Sequence, residues 1–152
     1  MSHARARSFP RRALLLIGVF VATVAGPASR AQDASMAFPR DILTSYLQGD
    51  TDRVWDRAGA MLREMAERPE TLAAASAEIL GGLGAETAVL SEQLFDHPDG
   101  GGFQVYVRAS RHAQTPEMFW IVIFAPSEEQ ILTIMPQPRQ AIRVLFPQVT
   151  LP

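Results

Sequence analysis

The apolar residues of this chain change their spacing near Glu86, and this change constrains the fold more than any other feature of the sequence. Before Glu86 they recur every three to four residues, which is typical of helices that bury one face. After it they alternate with polar residues or form short continuous runs, which is typical of strands. We therefore predict an α+β domain in which the helices precede the sheet.

Three helices are predicted before the sheet. Pro39 suits the first turn of the first helix, because proline lacks the N–H group that has no helical partner at that position. Asp50 or Thr51 caps the second helix, on which an apolar stripe recurs at helical spacing. Pro69 opens the third helix, which ends at the Gly81-Gly82 pair. These helices pack on a curved antiparallel sheet.

About four strands are predicted after the helices, at residues 87–95, 103–110, 118–124 and 131–135. A turn rich in glycine and aspartate joins the first two strands as a hairpin. The third strand is apolar at all seven positions, which indicates a central strand covered on both faces. The second strand has an apolar face and a polar face. The polar face comprises Gln104, Tyr106, Arg108 and Ser110.

The chain divides into four predicted segments. Residues 1–31 form a cleaved export signal peptide, and residues 32–37 a flexible tail. Residues 38–136 form the domain. Residues 137–152 form an extended C-terminal tail, part of which adds an edge strand. Prolines near the end of this tail argue against a long strand.

The predicted signal peptide has a basic start, an uncharged stretch from Ala13 to Ala25 and small residues at Ser29 and Ala31. Thirteen residues of helix rise about 20 Å, too little to span the roughly 30 Å hydrocarbon core. We therefore expect cleavage after Ala31, with no stable membrane anchor afterwards. The protein is expected in the periplasm or outside the cell. The Arg11-Arg12 pair resembles a twin-arginine export signal, and the general secretory route is the alternative.

The charge and the residue types exclude several classes of function. The chain has no cysteine, so disulfides, thiolate metal sites and a cysteine nucleophile are absent. It also has no lysine, which excludes Schiff-base chemistry. After position 31 there are nine arginines and 16 acidic residues, a net charge of −7. Such a surface repels nucleic acid. No residue pattern implies a cofactor or a metal.

The two histidines of the strand region each have two interpretations. His97 lies beside Asp96 and Asp99 in the predicted hairpin turn, where we favour a solvated loop over a metal site. His112 lies near the end of the second strand, where a surface position is favoured over a catalytic base.

Several features together resemble the nuclear transport factor 2-like superfamily, and most closely its small exported domains of unassigned function. They are the first-helix ending Leu47-Gln48-Gly49-Asp50, a second helix with Trp55 and Met61, a third helix closed by glycines, and a strand meander. The resemblance covers roughly residues 38–136. It implies a cone, in which a bent sheet wraps around the helices and leaves a pocket at the open end.

The resemblance implies a pocket but no particular reaction. The predicted pocket residues are Tyr46, Trp55, Met61, Tyr106 and Trp120, although aromatic residues at this spacing more often belong to a core. The leading hypothesis is an exported, non-catalytic domain that binds a small apolar ligand or a partner protein.

Two alternatives remain open. One is a small isomerase, dehydratase or hydrolase that uses Asp56 with Tyr46 or Tyr106 as acid and base. Against it, Asp56 falls where the solvent face of its helix is predicted. The other is a structural homodimer that pairs through the polar face of the sheet.

Overall fold

The computed structural model describes residues 27–152, with side chains from Ala31 onward. Four helices come first: α1 (Pro27–Leu47), α2 (Thr51–Asp56), α3 (Ala60–Ala66) and α4 (Pro69–Leu83). The strands are β1 (Glu86–Asp96), β2 (Gln104–His112), β3 (Met118–Ala125) and β4 (Gln130–Gln137), and α5 (Arg139–Leu145) follows them. This order confirms the α+β prediction.

Helix α1 begins upstream of its predicted start. Residues 32–37, predicted as a flexible tail, belong to this helix, and Pro39 lies inside it rather than in its first turn. The reason is packing, because Met36 is buried in the core and Phe38 lies 5.7 Å from the ring of Phe124. Residues 1–26, which include most of the predicted signal peptide, lie outside the described residues.

The second predicted helix is divided into α2 and α3 by a contact with the sheet. Ala58 forms a parallel bridge with Ile131. The N–H of Gly59 donates to the Ile131 carbonyl at 2.8 Å, and the Ile131 N–H donates to the Arg57 carbonyl at 2.8 Å. A side chain at Gly59 would approach the Ile131 carbonyl oxygen to 3.2 Å, so glycine suits this close contact.

Helix α4 continues through the glycine pair at which the sequence predicts its end. It ends at Leu83, and Gly84 forms its C-cap with a φ of 74°. The N–H of Gly84 donates to the Leu80 carbonyl at 2.8 Å, which closes the last turn. The helix therefore leads directly into β1.

The four strands form one antiparallel meander in the order β1-β2-β3-β4, which confirms the predicted sheet. Glu86 pairs with His112 at one end of the β1–β2 hairpin, and Asp96 pairs with Gln104 at the other. Irregular pairing interrupts the register twice in β1 and once between β3 and β4. The edge of β4 is covered where Ala58 pairs with Ile131.

Both faces of the sheet are buried, as the apolar run in β3 predicts. We call the face covered by α1 to α4 the inner face; its core includes Tyr106, Trp120, Val122 and Phe124. The predicted polar face of β2 is part of it, because Tyr106, Arg108 and Ser110 are buried there. This corrects the expectation that these residues face outward, and they do not form an exposed dimer interface.

The outer face of the sheet is covered by the C-terminal segment. Ile142, Phe146 and Val149 pack against Val105 and Ile121. The prediction of an extended tail is wrong for residues 139–145, which form α5. This segment is helical because Ile142 and Phe146 lie four residues apart, so both point to the sheet. Val144, between them, is 80% exposed.

Candidate functional site

Three of the predicted pocket residues are part of the inner core. Tyr46, Tyr106 and Trp120 are each at most 2% exposed. The rings of Tyr46 and Trp120 lie 5.8 Å apart in an edge-on arrangement, which is a favourable aromatic contact. The space that the resemblance assigns to a pocket is thus occupied at this point by the protein's own side chains.

The other two predicted pocket residues are not buried within this aromatic core, although Trp55 packs against it. Trp55 is half-buried, and the Arg63 guanidinium lies over its ring at 5.0 Å. Met61 is 52% exposed and lines a separate cleft on the surface. The five residues therefore do not form one pocket, because three are in the core and Met61 lines the surface.

The predicted acid and base groups are also separated. Asp56 is exposed and lines an open polar cleft of about 570 Å³ with Arg57, Arg63 and Glu129. Neither tyrosine lines that cleft. An acid and a base must reach the same substrate. The structure does not bring Asp56 together with Tyr46 or Tyr106.

A charged cluster lies between α1 and the inner face. The Arg40 guanidinium donates to both carboxylate oxygens of Glu92, with Nη2 2.8 Å from Oε2. The Tyr106 hydroxyl donates to Glu92 Oε1. Burial works to raise the pKa of Glu92, but the hydrogen bonds from Arg40 and Tyr106 and the charges of Arg40 and Arg108 outweigh it, so the pKa is lowered.

The same surroundings raise the pKa of Tyr106, whereas they lower the pKa of Glu92. Burial and the adjacent Glu92 carboxylate raise the pKa of the Tyr106 hydroxyl, because both disfavour a phenolate. Burial also raises the pKa of Tyr46, and the nearby Ser76 hydroxyl opposes this rise. Neither tyrosine is suited to act as a base near neutral pH. We interpret the Arg40–Glu92–Tyr106 cluster as structural.

His112 is buried rather than on the surface, which corrects the sequence interpretation. Trp120 Nε1 donates to His112 Nε2 at 3.0 Å, and His112 Nδ1 lies 3.0 Å from the Gly84 carbonyl oxygen. An indole N–H only donates and a carbonyl only accepts. His112 is therefore neutral and carries its proton on Nδ1. The Ser110 hydroxyl completes the contacts of Nε2 at 3.2 Å.

An apolar cleft lies near the turn of the β1–β2 hairpin, with a volume of about 260 Å³. Its apolar walls come from α3, from the hairpin turn and from two strands: Met61, Phe103, Ile123 and Leu132. His97, Asp99 and Thr133 supply the polar part of the lining. Within the part of the chain that the structure describes, this cleft brings an exposed methionine together with strand side chains.

Hydrogen bonds fix the loop that borders the apolar cleft. The His97 N–H donates to the Phe103 carbonyl at 2.9 Å, and the Gly100 N–H donates to the His97 carbonyl at 2.9 Å. A side chain at Gly101, whose φ is 76°, would lie 3.2 Å from the Phe103 ring. Glycine therefore allows that ring to pack closely against the loop.

His97 has a defined place in this loop, since its side chain is 22% exposed. Its Nδ1 accepts a hydrogen bond from the Asp99 N–H at 3.2 Å. The solvated-loop interpretation therefore understates the order of the turn. Among the described residues, no three histidine, aspartate or glutamate side chains are grouped as metal ligands would be.

Comparison with protein-family models, with curated proteins and with solved structures finds no match for this chain. Across residues 27–152, no helix combines the length and the apolar character that crossing a bilayer requires.

Proposed function

We propose that this protein is an exported, non-catalytic binding domain, and that the apolar cleft at Met61 is its site for a small apolar ligand. The observation that carries the proposal is the cleft itself, with Phe103, Ile123 and Leu132 as its other apolar walls. Its volume is just below the roughly 300–1,000 Å³ of typical ligand pockets.

The exposure of Met61 supports this role. An exposed methionine leaves apolar surface in water, and the free energy of covering it favours binding. The flexible thioether also adapts to ligands of different shape. The polar rim at His97 and Asp99 offers hydrogen-bonding groups that would orient a ligand with one polar end.

The export part of the proposal rests on the sequence of residues 1–31. A basic start, a short apolar stretch and small residues before Gln32 are typical of a cleaved signal peptide. The first buried side chain among the described residues is Met36, so removal of residues up to Ala31 takes away no core side chain described here.

The test is a binding titration of residues 32–152 with anilinonaphthalene sulfonate, a fluorescent probe for apolar sites. We expect saturable binding that Met61→Gln weakens about tenfold, because the substitution makes one wall of the cleft polar. The matched control is Met65→Gln on the same helix. Met65 is exposed to a similar extent, 57% against 52% for Met61, but it does not line the cleft.

Equal loss of affinity in the two variants would show that the probe binds exposed methionines in general, and would refute the cleft as the binding site. The same conclusion would hold if the folded protein did not bind the probe. Both substitutions are at exposed positions, so we expect both variants to keep the stability of the unaltered protein within about 0.5 kcal/mol.

A further inference from the structure

The sulfur atoms of this chain fall into groups that differ in exposure. The chain has no cysteine, so its six methionines carry all of its sulfur. Among the side chains that the structure describes, the exposed methionines are Met61 and Met65, at 52% and 57%. Met36 is 7% exposed, and Met118 and Met135 are half-buried. An oxidant in the solvent therefore reaches the two methionines of α3 first.

The half-buried methionines are held by packing. Met118 packs against the inner core, and Met135 packs against the core of the outer face. The Gln137 side-chain amide also donates to the Met135 Sδ at 3.4 Å. These contacts restrict the approach of an oxidant to both sulfur atoms.

The two exposed methionines differ in what they line. Met61 and Met65 lie about one turn apart on α3, but only Met61 lines the apolar cleft. A thioether is apolar and suits the wall of such a cleft, whereas a sulfoxide carries a polar S–O group. An apolar ligand offers no hydrogen-bond donor to that group, so covering the group costs free energy. Oxidation of Met61 therefore opposes binding in the cleft.

We infer that Met61 is a site of oxidation by hydrogen peroxide, and that its sulfoxide closes the apolar cleft to ligands. The inference rests on the proposed function, because the cleft must bind an apolar ligand before oxidation can prevent it. The proposed exported location suits this chemistry, since compartments outside the cytoplasm are oxidising.

The oxidation transfers one oxygen atom to sulfur. The Met61 Sδ attacks one oxygen of the peroxide, the O–O bond breaks, and the second oxygen leaves as water. Sulfur gives up two electrons and the peroxide accepts them. Methionine sulfoxide reductases restore the thioether, so the change is reversible.

The first arm of the test measures where peroxide reacts. Residues 32–152 are treated with hydrogen peroxide in the folded state, and peptide mass spectrometry follows the sulfoxide at each methionine. We expect Met61 and Met65 to react at least about tenfold faster than Met36. Oxidation of Met61 at the same rate as Met36, or more slowly, would overturn the inference.

The second arm uses Met65→Leu, in which Met61 is the exposed methionine that remains among the described side chains. Leucine is similar in size to methionine and has no sulfur. We expect peroxide to weaken the binding of anilinonaphthalene sulfonate by this variant about tenfold, and sulfoxide reductases to restore it. Unchanged affinity after oxidation of Met61 would overturn the inference and leave the cleft as a binding site.

Met61→Leu is the matched control, because it keeps an apolar side chain at the cleft and leaves Met65 to react. The variant is compared with itself before and after peroxide, and we expect its affinity to change less than about twofold. A loss of about tenfold would show that another group causes the effect, and would overturn the inference. If this variant binds too weakly to measure, the Met65→Leu arm still decides.

The binding of the untreated, unaltered protein separates the two proposals. If it shows no saturable binding of anilinonaphthalene sulfonate, the proposed function is refuted and the inference with it. If it binds the probe equally well before and after oxidation of Met61, the inference alone is refuted.

Discussion

At the scale of single residues, the inner face is organised by polar side chains that the core holds in fixed states. His112 is limited to its neutral form with the proton on Nδ1, because Trp120 donates to its other nitrogen. Glu92 is held as a carboxylate by Arg40 and Tyr106. The Arg40–Glu92 pair joins α1 to β1, and the contact of His112 with Gly84 joins β2 to the C-cap of α4, so these groups help to specify how the two helices sit on the sheet.

The tyrosines give a direct test of this arrangement, since Tyr46 and Tyr106 are the only two in the chain. Both have a raised pKa, chiefly through burial. We therefore expect the folded protein to show no phenolate absorbance at pH 10.0, where an ordinary tyrosine is half ionised. In denaturant, both tyrosines should titrate near that value.

The sign of the linked effect on stability follows from the raised pKa values. The stabilisation is fully present below pH 10.0 and is lost as the pH rises above it, because the unfolded chain releases its phenolic protons first. Phenolate absorbance in the still folded protein at pH 10.0 would show that the tyrosines are not buried as described.

The sequence alone could not predict that the polar residues of β2 are buried. Tyr106, Arg108 and Ser110 alternate with apolar residues, and this pattern predicts a solvent face. What makes their burial possible is pairing with distant residues, and Arg40 and Glu92 are 52 positions apart. Periodicity carries no information on such pairs. The favoured interpretation of Trp120 as a core residue was nevertheless correct.

At the scale of elements, different segments of the chain cover the two faces of the sheet. Among residues 27–152, helices α1 to α4 cover the inner face, and only α5 and the residues after it cover the outer face. The C-terminal segment is tied at both ends. Arg139 Nε donates to Glu117 at 2.6 Å, and the Gln93 side chain pairs with the backbone of Thr150. This short segment therefore keeps a large apolar surface out of water.

Phe146→Ala tests the contribution of the C-terminal segment. Phe146 is 7% exposed and its ring lies 5.8 Å from that of Phe95. We expect the substitution to lower the free energy of unfolding in urea by about 3 kcal/mol, through lost burial and a cavity. The neighbouring Leu145 is 50% exposed, so Leu145→Ala should cost less than about 1 kcal/mol. Similar losses in the two variants would contradict the packing of α5.

The elements of the sheet were more predictable than those around it. All four strands and their order follow from alternation and from the apolar run in β3. The division of α2 from α3 does not, because it arises from the pairing of Ala58 with Ile131. The sequence predicts an extended segment in place of helix α5 for a similar reason. Its residues alternate in polarity, and only contact with the sheet selects the helical spacing.

At the scale of the whole molecule, the apolar cleft lies where the turn of the β1–β2 hairpin meets α3 and β4. The apolar cleft was only partly predictable, since Met61 was a candidate while Leu132 was not. Leu132 lies where the pairing of β3 and β4 is irregular, and regular alternation does not reveal such a position.

Removal of the predicted signal peptide should leave the domain intact. Residues 32–35 are exposed and Met36 is buried, so a chain that begins at Gln32 keeps the first core residue. We expect it to unfold at the same urea concentration as a chain that begins at Pro27. A chain that begins at Ala37 lacks Met36 and should lose about 2 kcal/mol or more. Loss of stability on starting at Gln32 would contradict cleavage after Ala31.

The central claim is that the cleft at Met61 binds an apolar ligand, and methionine methyl NMR during a titration with anilinonaphthalene sulfonate tests it most directly. We predict that the Met61 methyl signal of residues 32–152 shifts saturably, while the signal of Met36, buried in the core, stays unchanged. The claim would be contradicted by an unchanged Met61 signal at saturation, or by shifts of Met61 and Met65 that follow the same weak, unsaturated curve.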